Sequence, residues 1–289
     1  MPGPVLLCAD DYALTEGVSR AIEDLAAARR LSATSALVTT RHWPSHGRRV
    51  GDLSNRIAVG LHLNLTLGTP LGPMPELAPS GLLPPIGTLV QRALLGRIDP
   101  SEVRQETARQ IARFREVADR DPDFLDGHQH AHALPGIRTG VLDAIAEAFP
   151  GGGFLVRDPA DTIARITARQ AAVAKSLLLA GLAIGFGAQA RARGCVTNEG
   201  FSGVSAFDRR SPYESELRRF LSQPGPRHLV MCHPGYPDAE LAAVDPVVER
   251  RQDESDVIRS FPDLESRLWR PSRCGGPAWD NEPFRVAAA

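Results

Sequence analysis

Four short apolar runs in this chain each stop at an acidic or histidine motif, which limits both the fold and the place where chemistry can occur. The runs are Val5-Leu6-Leu7-Cys8-Ala9 into Asp10-Asp11, Ile57-Ala58-Val59-Gly60-Leu61 into His62, Phe124-Leu125 into Asp126-Gly127-His128, and Leu229-Val230-Met231-Cys232 into His233-Pro234. A strand buried on both faces reads as an unbroken apolar run. In barrels of alternating strands and helices, polar groups from several such strands gather at their carboxyl ends. Four endings of this kind therefore imply one shared site.

The segments between the runs read as helices. Thr15 is placed to cap a helix reaching about residue 30, with Ala21, Ile22, Leu25 and Ala28 at helical spacing. Further strand candidates lie at 36–39, 57–65, 123–128, 154–157, 195–198 and 228–232. Helices are expected from about residue 99, at 137–148, from 161 to about 190, at 213–221, and from 246 to about 268. Strands alternating with helices imply right-handed crossovers and a mostly parallel sheet. The expected fold is α/β, a distorted or incomplete TIM-like (β/α) barrel of about seven parallel strands. Residues 1–289 read as a single domain, with an irregular carboxyl-terminal tail over 270–289. The stretch from Thr66 to Pro85 is rich in proline and glycine and reads as a long loop shaping access to the site.

Composition excludes several function classes. Positive and negative residues number 33 and 34, for a formal net charge of -1, so nucleic acid is not expected as a partner. The longest apolar stretch, 176–190, is shorter than the ~20 residues of a membrane span and reads as a buried or amphipathic helix. No secretory signal is recognisable ahead of Asp10, so the expected location is cytoplasmic. Cys8, Cys195, Cys232 and Cys274 form no C-x-x-C pair and suit reduced, buried thiols. Lys175 is the only lysine, so there is no G-K-[ST] phosphate loop, and no G-x-S-x-G elbow is present.

The motifs carry the chemistry. Adjacent Asp10 and Asp11 point in different directions at a strand end, so one carboxylate can hold a metal while the other faces a substrate water. Alternation puts Gly60, His62, Asn64 and Thr66 on one side of their strand, and Gly60 is expected to leave room for a ligand. In Asp126-Gly127-His128-Gln129-His130-Ala131-His132, ionisable side chains recur at period two, so an extended segment would present them on one face. His128, nearest the strand end, is the expected metal ligand of that group. Asp126 is placed to orient a ligating histidine, and His130 and His132 are expected to line the pocket. His233, before the turn Pro234-Gly235-Tyr236, suits a proton donor. His42, His46 and His228 lack such settings and read as surface or structural.

These motifs resemble those of the YdjC-like family, chitooligosaccharide deacetylase type. The resemblance rests on Ala9-Asp10-Asp11-Tyr12, Gly60-Leu61-His62-Leu63-Asn64-Leu65-Thr66, Leu125 through His132, and Met231-Cys232-His233-Pro234-Gly235, in that order. Ala13 stands where the family usually has glycine, and Tyr12 replaces its common phenylalanine. The resemblance implies hydrolysis of an N-acetyl group from an amino sugar or chitooligosaccharide. It implies Asp11, His62 and His128 as ligands of one divalent ion, Asp10 as general base and His233 as general acid. Asn64, Asp126, His130, His132 and Arg157 are then expected to bind substrate. Two imidazoles and a carboxylate suit zinc, whereas the resemblance keeps magnesium in contention. The expected partner is a small carbohydrate, with no membrane span, and a homodimer is left open. Other readings are a metal hydrolase acting on a glycolipid of the hopanoid pathway or a phosphate ester, and a non-catalytic carbohydrate-binding protein.

Overall fold

The computed structural model describes residues 4–207 and 210–271. Its strands are β1 (Val5–Tyr12), β2 (Ala33–Ala36), β3 (Ala58–Leu63), β4 (Phe124–Gly127), β5 (Leu155–Val156), β6 (Val196–Thr197), β7 (Gly200–Ser202) and β8 (His228–Cys232). All eight join one sheet in the order β6-β5-β4-β3-β2-β1-β8-β7, and every pairing is parallel. Parallel neighbours need a crossover of a dozen or more residues, yet only Asn198 and Glu199 separate β6 from β7. These two edge strands are therefore successive parts of one extended run, which pairs with β5 at its start and with β8 at its end. The sheet must curl to meet both, so eight short strands make the seven-staved barrel that the apolar runs imply.

Alternation along the strands sorts side chains into two layers. Val5, Leu7 and Ala9 face outward into the main core shared with the helices. Leu6, Cys8, Ala33, Ala58, Phe124, Leu155, Phe201, Leu229 and Met231 form a second cluster inside the curl. Trp269 joins this inner cluster, and its backbone N–H donates to the carbonyl of Val5 at the start of β1. It covers the amino-terminal end of the barrel and leaves the carboxyl-terminal end for function.

Several boundaries differ from the sequence reading. β2 occupies Ala33–Ala36 rather than 36–39, because the small residues Ala33 and Ser35 fit the crowded interior while Leu37 and Val38 pack outside. The expected helix from 161 to about 190 is three pieces, Ile163–Arg169, Val173–Leu182 and Phe186–Ala192. Left-handed Gln170, Ala172 and Gly185 interrupt it. By length and composition alone Val173–Ala192 could cross a bilayer. The first part, Val173–Leu182, buries no residue, so of the buried or amphipathic helix expected there the buried alternative does not hold. Pro262 divides the last helix into Glu249–Ser260 and Leu264–Arg267. The tail expected over 270–289, with Cys274, lies mostly outside the described residues.

The proline-rich stretch after β3 is anchored rather than loose. Glu102 accepts the backbone N–H groups of Glu76 and Leu77, and Glu106 accepts that of Leu71. Met74, Leu77, Ala78 and Leu83 are buried beneath it. It forms a fixed wall against the helix Pro100–Ala118.

Candidate active site

The inner alternation that buries the barrel core continues, one step further along each strand, as polar groups. Leu6 and Cys8 lead to Asp10, Ala33 to Ser35, Ala58 and Gly60 to His62, Phe124 to Asp126, Leu155 to Arg157, and Leu229 and Met231 to His233. Five different strands thus deliver ionisable side chains to the carboxyl-terminal mouth. Asp11 would point the opposite way in a regular strand. Its φ of 72° and the register shift between Ala9 and Tyr12 turn it into the same space. Both aspartates of the pair therefore reach the site.

Asp11, His62 and His128 converge. Oδ1 of Asp11 lies 3.0 Å from Nδ1 of His128 and 3.3 Å from Nε2 of His62. One ligand atom from each residue lies within 4.8 Å of the other two. The other ring nitrogen of His62 sits 2.6 Å from Oδ1 of Asp126 and 3.1 Å from Oγ of Ser35. A carboxylate behind a ligating imidazole fixes its tautomer and raises its basicity, so the donor set fits a divalent ion. Burial alone would lower the His62 imidazole, but the Asp126 and Asp11 carboxylates raise it to about 10. An ion entering here displaces a proton. Burial would raise the Asp11 carboxyl, yet Arg251 and His128 hold it well below the usual carboxylate range. Arg251 reaches its Oδ2 at 2.6 Å and also pairs with Asp245.

Asp10 sits beside this group in a different environment. Arg157, fully buried, donates from Nη1 to Oδ2 at 2.7 Å and from Nη2 to Oδ1 at 2.6 Å. The same guanidinium pairs with Asp126. Burial pushes the Asp10 carboxyl up, but Arg157 outweighs it and keeps the group ionised. The imidazole of His233 is pushed down to about 4 by burial, against the opposing pull of Asp10 and Asp11. Its Nδ1 is buried without a hydrogen-bond partner, its ring meets Phe207 edge-on at 5.1 Å, and its backbone N–H donates to Glu254 at 2.6 Å.

The family model for YdjC-like proteins matches residues 4–265. The chain belongs to the YdjC-like family. A carbohydrate deacetylase of Mus musculus is 33% identical over 156 residues, covering 52% of this chain and 48% of that protein. A chitooligosaccharide deacetylase of Enterobacter sp. (strain 638) is 33% identical over 137 residues, covering 46% of this chain and 52% of that protein. The chain spans about half the length of the curated relatives it matches. A solved structure described as a putative cellobiose-phosphate cleavage protein from Enterococcus faecalis V583 covers 92% of this chain and 94% of its own, with a TM-score of 0.67 and 20% identity. That likeness shows a shared fold.

In this YdjC-like chain, five expectations need correction. Gly60 leaves room for the Phe124 ring rather than a ligand, since a Cβ there would lie 2.6 Å from it. The segment after Asp126 is not extended: β4 ends at Gly127, and left-handed Gln129 and His130 coil the chain. His128 consequently meets Asp11, while His130 turns its ring toward Phe201 at 5.4 Å. His132 lies buried against Phe186 with Nε2 at 2.8 Å from the Arg157 carbonyl, so it supports β5 instead of lining the pocket. Asn64 spends its amide on Thr39 and on the backbone of Thr66 and Leu67, which makes it an organiser of the following loop. Arg157, expected to bind substrate, is committed to Asp10 and Asp126. Sequence reading missed Ser35, Arg251 and Glu254. Arg251 and Glu254 lie in a strongly polar helix whose local pattern carries no sign of burial.

Proposed function

We propose that this chain is a metal-dependent hydrolase that removes N-acetyl groups from an amino sugar or chitooligosaccharide. The observation that carries the reading is the convergence of Asp11, His62 and His128, backed by Asp126, beside the separately held Asp10 and the unpartnered ring nitrogen of His233. Two imidazoles and one carboxylate favour zinc over magnesium. The bound ion would polarise the amide carbonyl and lower the pKa of a nearby water. Asp10, held as an anion by Arg157, accepts the proton of the attacking water. The His233 ring, neutral at pH 7, takes up the second proton of that water once its oxygen has added to the carbonyl and gives it to the departing amine, so one proton ends on Asp10 and one on the amine as acetate leaves. The deacetylase names of the curated relatives support this substrate class.

A second reading has a specific observation behind it. Arg157 occupies both oxygens of Asp10, which weakens that carboxylate as a base. In this reading His233 performs both proton transfers and Asp10 only steadies charge. Asp10→Asn and His233→Ala separate the two when metal content and acetate release from N-acetylated chitooligosaccharides are measured together. The first reading expects both variants to keep the ion and lose about 10²–10⁴-fold in rate. Nearly full activity in Asp10→Asn would transfer the base role to His233. No acetate release by the metal-loaded wild type would remove the deacetylase assignment itself.

A further inference from the structure

A second group of metal-type side chains lies outside the catalytic constellation. Glu16 opens the helix Glu16–Ala27, directly after its cap Thr15. His42 and His46 flank Trp43-Pro44-Ser45, and His42 is the N-cap of the short helix Trp43–His46. Four-residue spacing on a helical turn brings two side chains to one face, and H-x3-H is a recurrent zinc-ligand spacing. Nε2 of His46 lies 3.0 Å from Oε2 of Glu16, and one ligand atom from each of Glu16, His42 and His46 lies within 4.8 Å of the others. Tetrahedral bonds of about 2.1 Å put neighbouring ligand atoms roughly 3.4 Å apart, so small side-chain adjustments would suffice.

The surroundings point to a ligand. His46 is fully buried, and its Nδ1 has no hydrogen-bond partner, lying 3.7 Å from Oε1 of Glu23. Closing that gap would place a carboxylate behind a ligating imidazole, as Asp126 stands behind His62. Glu240 lies beside this three-residue group as a further donor within reach, its two oxygens 2.8 and 2.9 Å from Nε2 of His42. Its present counter-charge is Arg41, at 2.7 Å, whose side chain is 74% exposed and can swing away at little cost. The other grouping of ligand types, Cys8 with Asp10 and Asp126, has Arg157 paired with both carboxylates.

We propose that Glu16, His42, His46 and Glu240 form a second divalent-cation site, of the zinc class, which clips together the loops behind the catalytic groups. Those loops already touch. Thr40 donates to the Ala13 carbonyl at 2.5 Å, Asp238 accepts the Gly17 N–H at 3.2 Å, and the Tyr236 N–H donates to the Gly17 carbonyl at 3.2 Å. Residues 13–17 follow Asp11 and residues 236–240 follow His233, so an ion here would stiffen the bases of both. Hard, octahedral magnesium is a poor match for paired imidazoles.

Equilibrium dialysis of the full chain against zinc, followed by elemental analysis, tests the site. The variants are His42→Ala and Glu16→Gln, both at partly exposed positions, with circular dichroism as the check on folding. Each folded variant is expected to bind one zinc ion fewer than wild type, and magnesium is expected to show no such difference. That difference is independent of whether the catalytic constellation also binds. Equal zinc content in wild type and both folded variants overturns the proposal.

Discussion

At the scale of single residues, neighbours that look alike in sequence acquire opposite electrical settings. Asp10 is clamped by Arg157, whereas Asp11, one residue on, faces two imidazoles and Arg251. Histidines divide the same way: His62 is raised to about 10 between carboxylates, and His228 is pushed down to about 3 by burial and by Arg169. His228 is wholly buried at the start of β8, where its Nε2 lies 2.9 Å from Oγ of Ser202. It gives the clearest pH prediction. Below the ordinary histidine pKa the unfolded chain binds a proton that the folded chain refuses, so stability falls as pH drops through the interval from about 6.5 to about 3. His228→Gln, uncharged throughout, should flatten that part of the acid limb. Urea unfolding of both proteins between pH 7 and pH 4 checks it, and parallel curves would contradict the assignment.

At the scale of elements, the site depends on how tightly β3 and β4 approach. Gly60 in β3 abuts the Phe124 ring in β4, and the next inward positions, His62 and Asp126, form the 2.6 Å ligand-orienting contact. Adding a methyl group forces the ring aside. Gly60→Ala is expected to cost about 1–3 kcal/mol and to weaken metal binding by displacing His62. Combining it with Phe124→Leu should restore part of both losses, because the smaller side chain yields the space. Thermal unfolding and metal titration across the double-mutant cycle measure the coupling. Strictly additive losses would mean that the two residues do not share the contact. Left-handed Gln129 and His130 matter at the same scale, because they bring His128 back over β1.

For the molecule as a whole, the candidate metal ligands come from positions 11, 62 and 128, and Arg251 steadies Asp11 from the far end of the chain. Any ion bound there joins segments that are distant in sequence. It therefore favours the folded state by mass action, by about 2.7 kcal/mol at a hundredfold excess over Kd. Chelation with EDTA should lower the unfolding midpoint, and readdition of zinc should restore it. In His62→Ala the part due to the catalytic constellation should disappear. An EDTA response as large in His62→Ala as in wild type would place the stabilising ion elsewhere.

The architecture and most members of the candidate site are legible in the amino-acid sequence. Apolar runs too short for helices and too continuous for a half-exposed sheet required buried parallel strands, and the polar residues ending them marked the end of the barrel where the candidate site forms. Asp11, His62 and His128 were legible for that reason, as were Asp10 and His233. What each polar group is paired with emerges only once the chain is folded. Local sequence gives no sign that Arg157 is consumed by Asp10 and Asp126, that Arg251 folds back on Asp11, or that Asn64 serves its own loop. Nor does it show that His42 and His46 meet Glu16 and Glu240. Periodicity fixes the face a side chain occupies while the backbone stays regular, but it fails where left-handed residues turn the chain, as at Asp11, Gln129 and His130. Burial and long-range charge pairing arise only when distant segments close into one barrel, and these set the ionisation of Asp10, Asp11, His62 and His233.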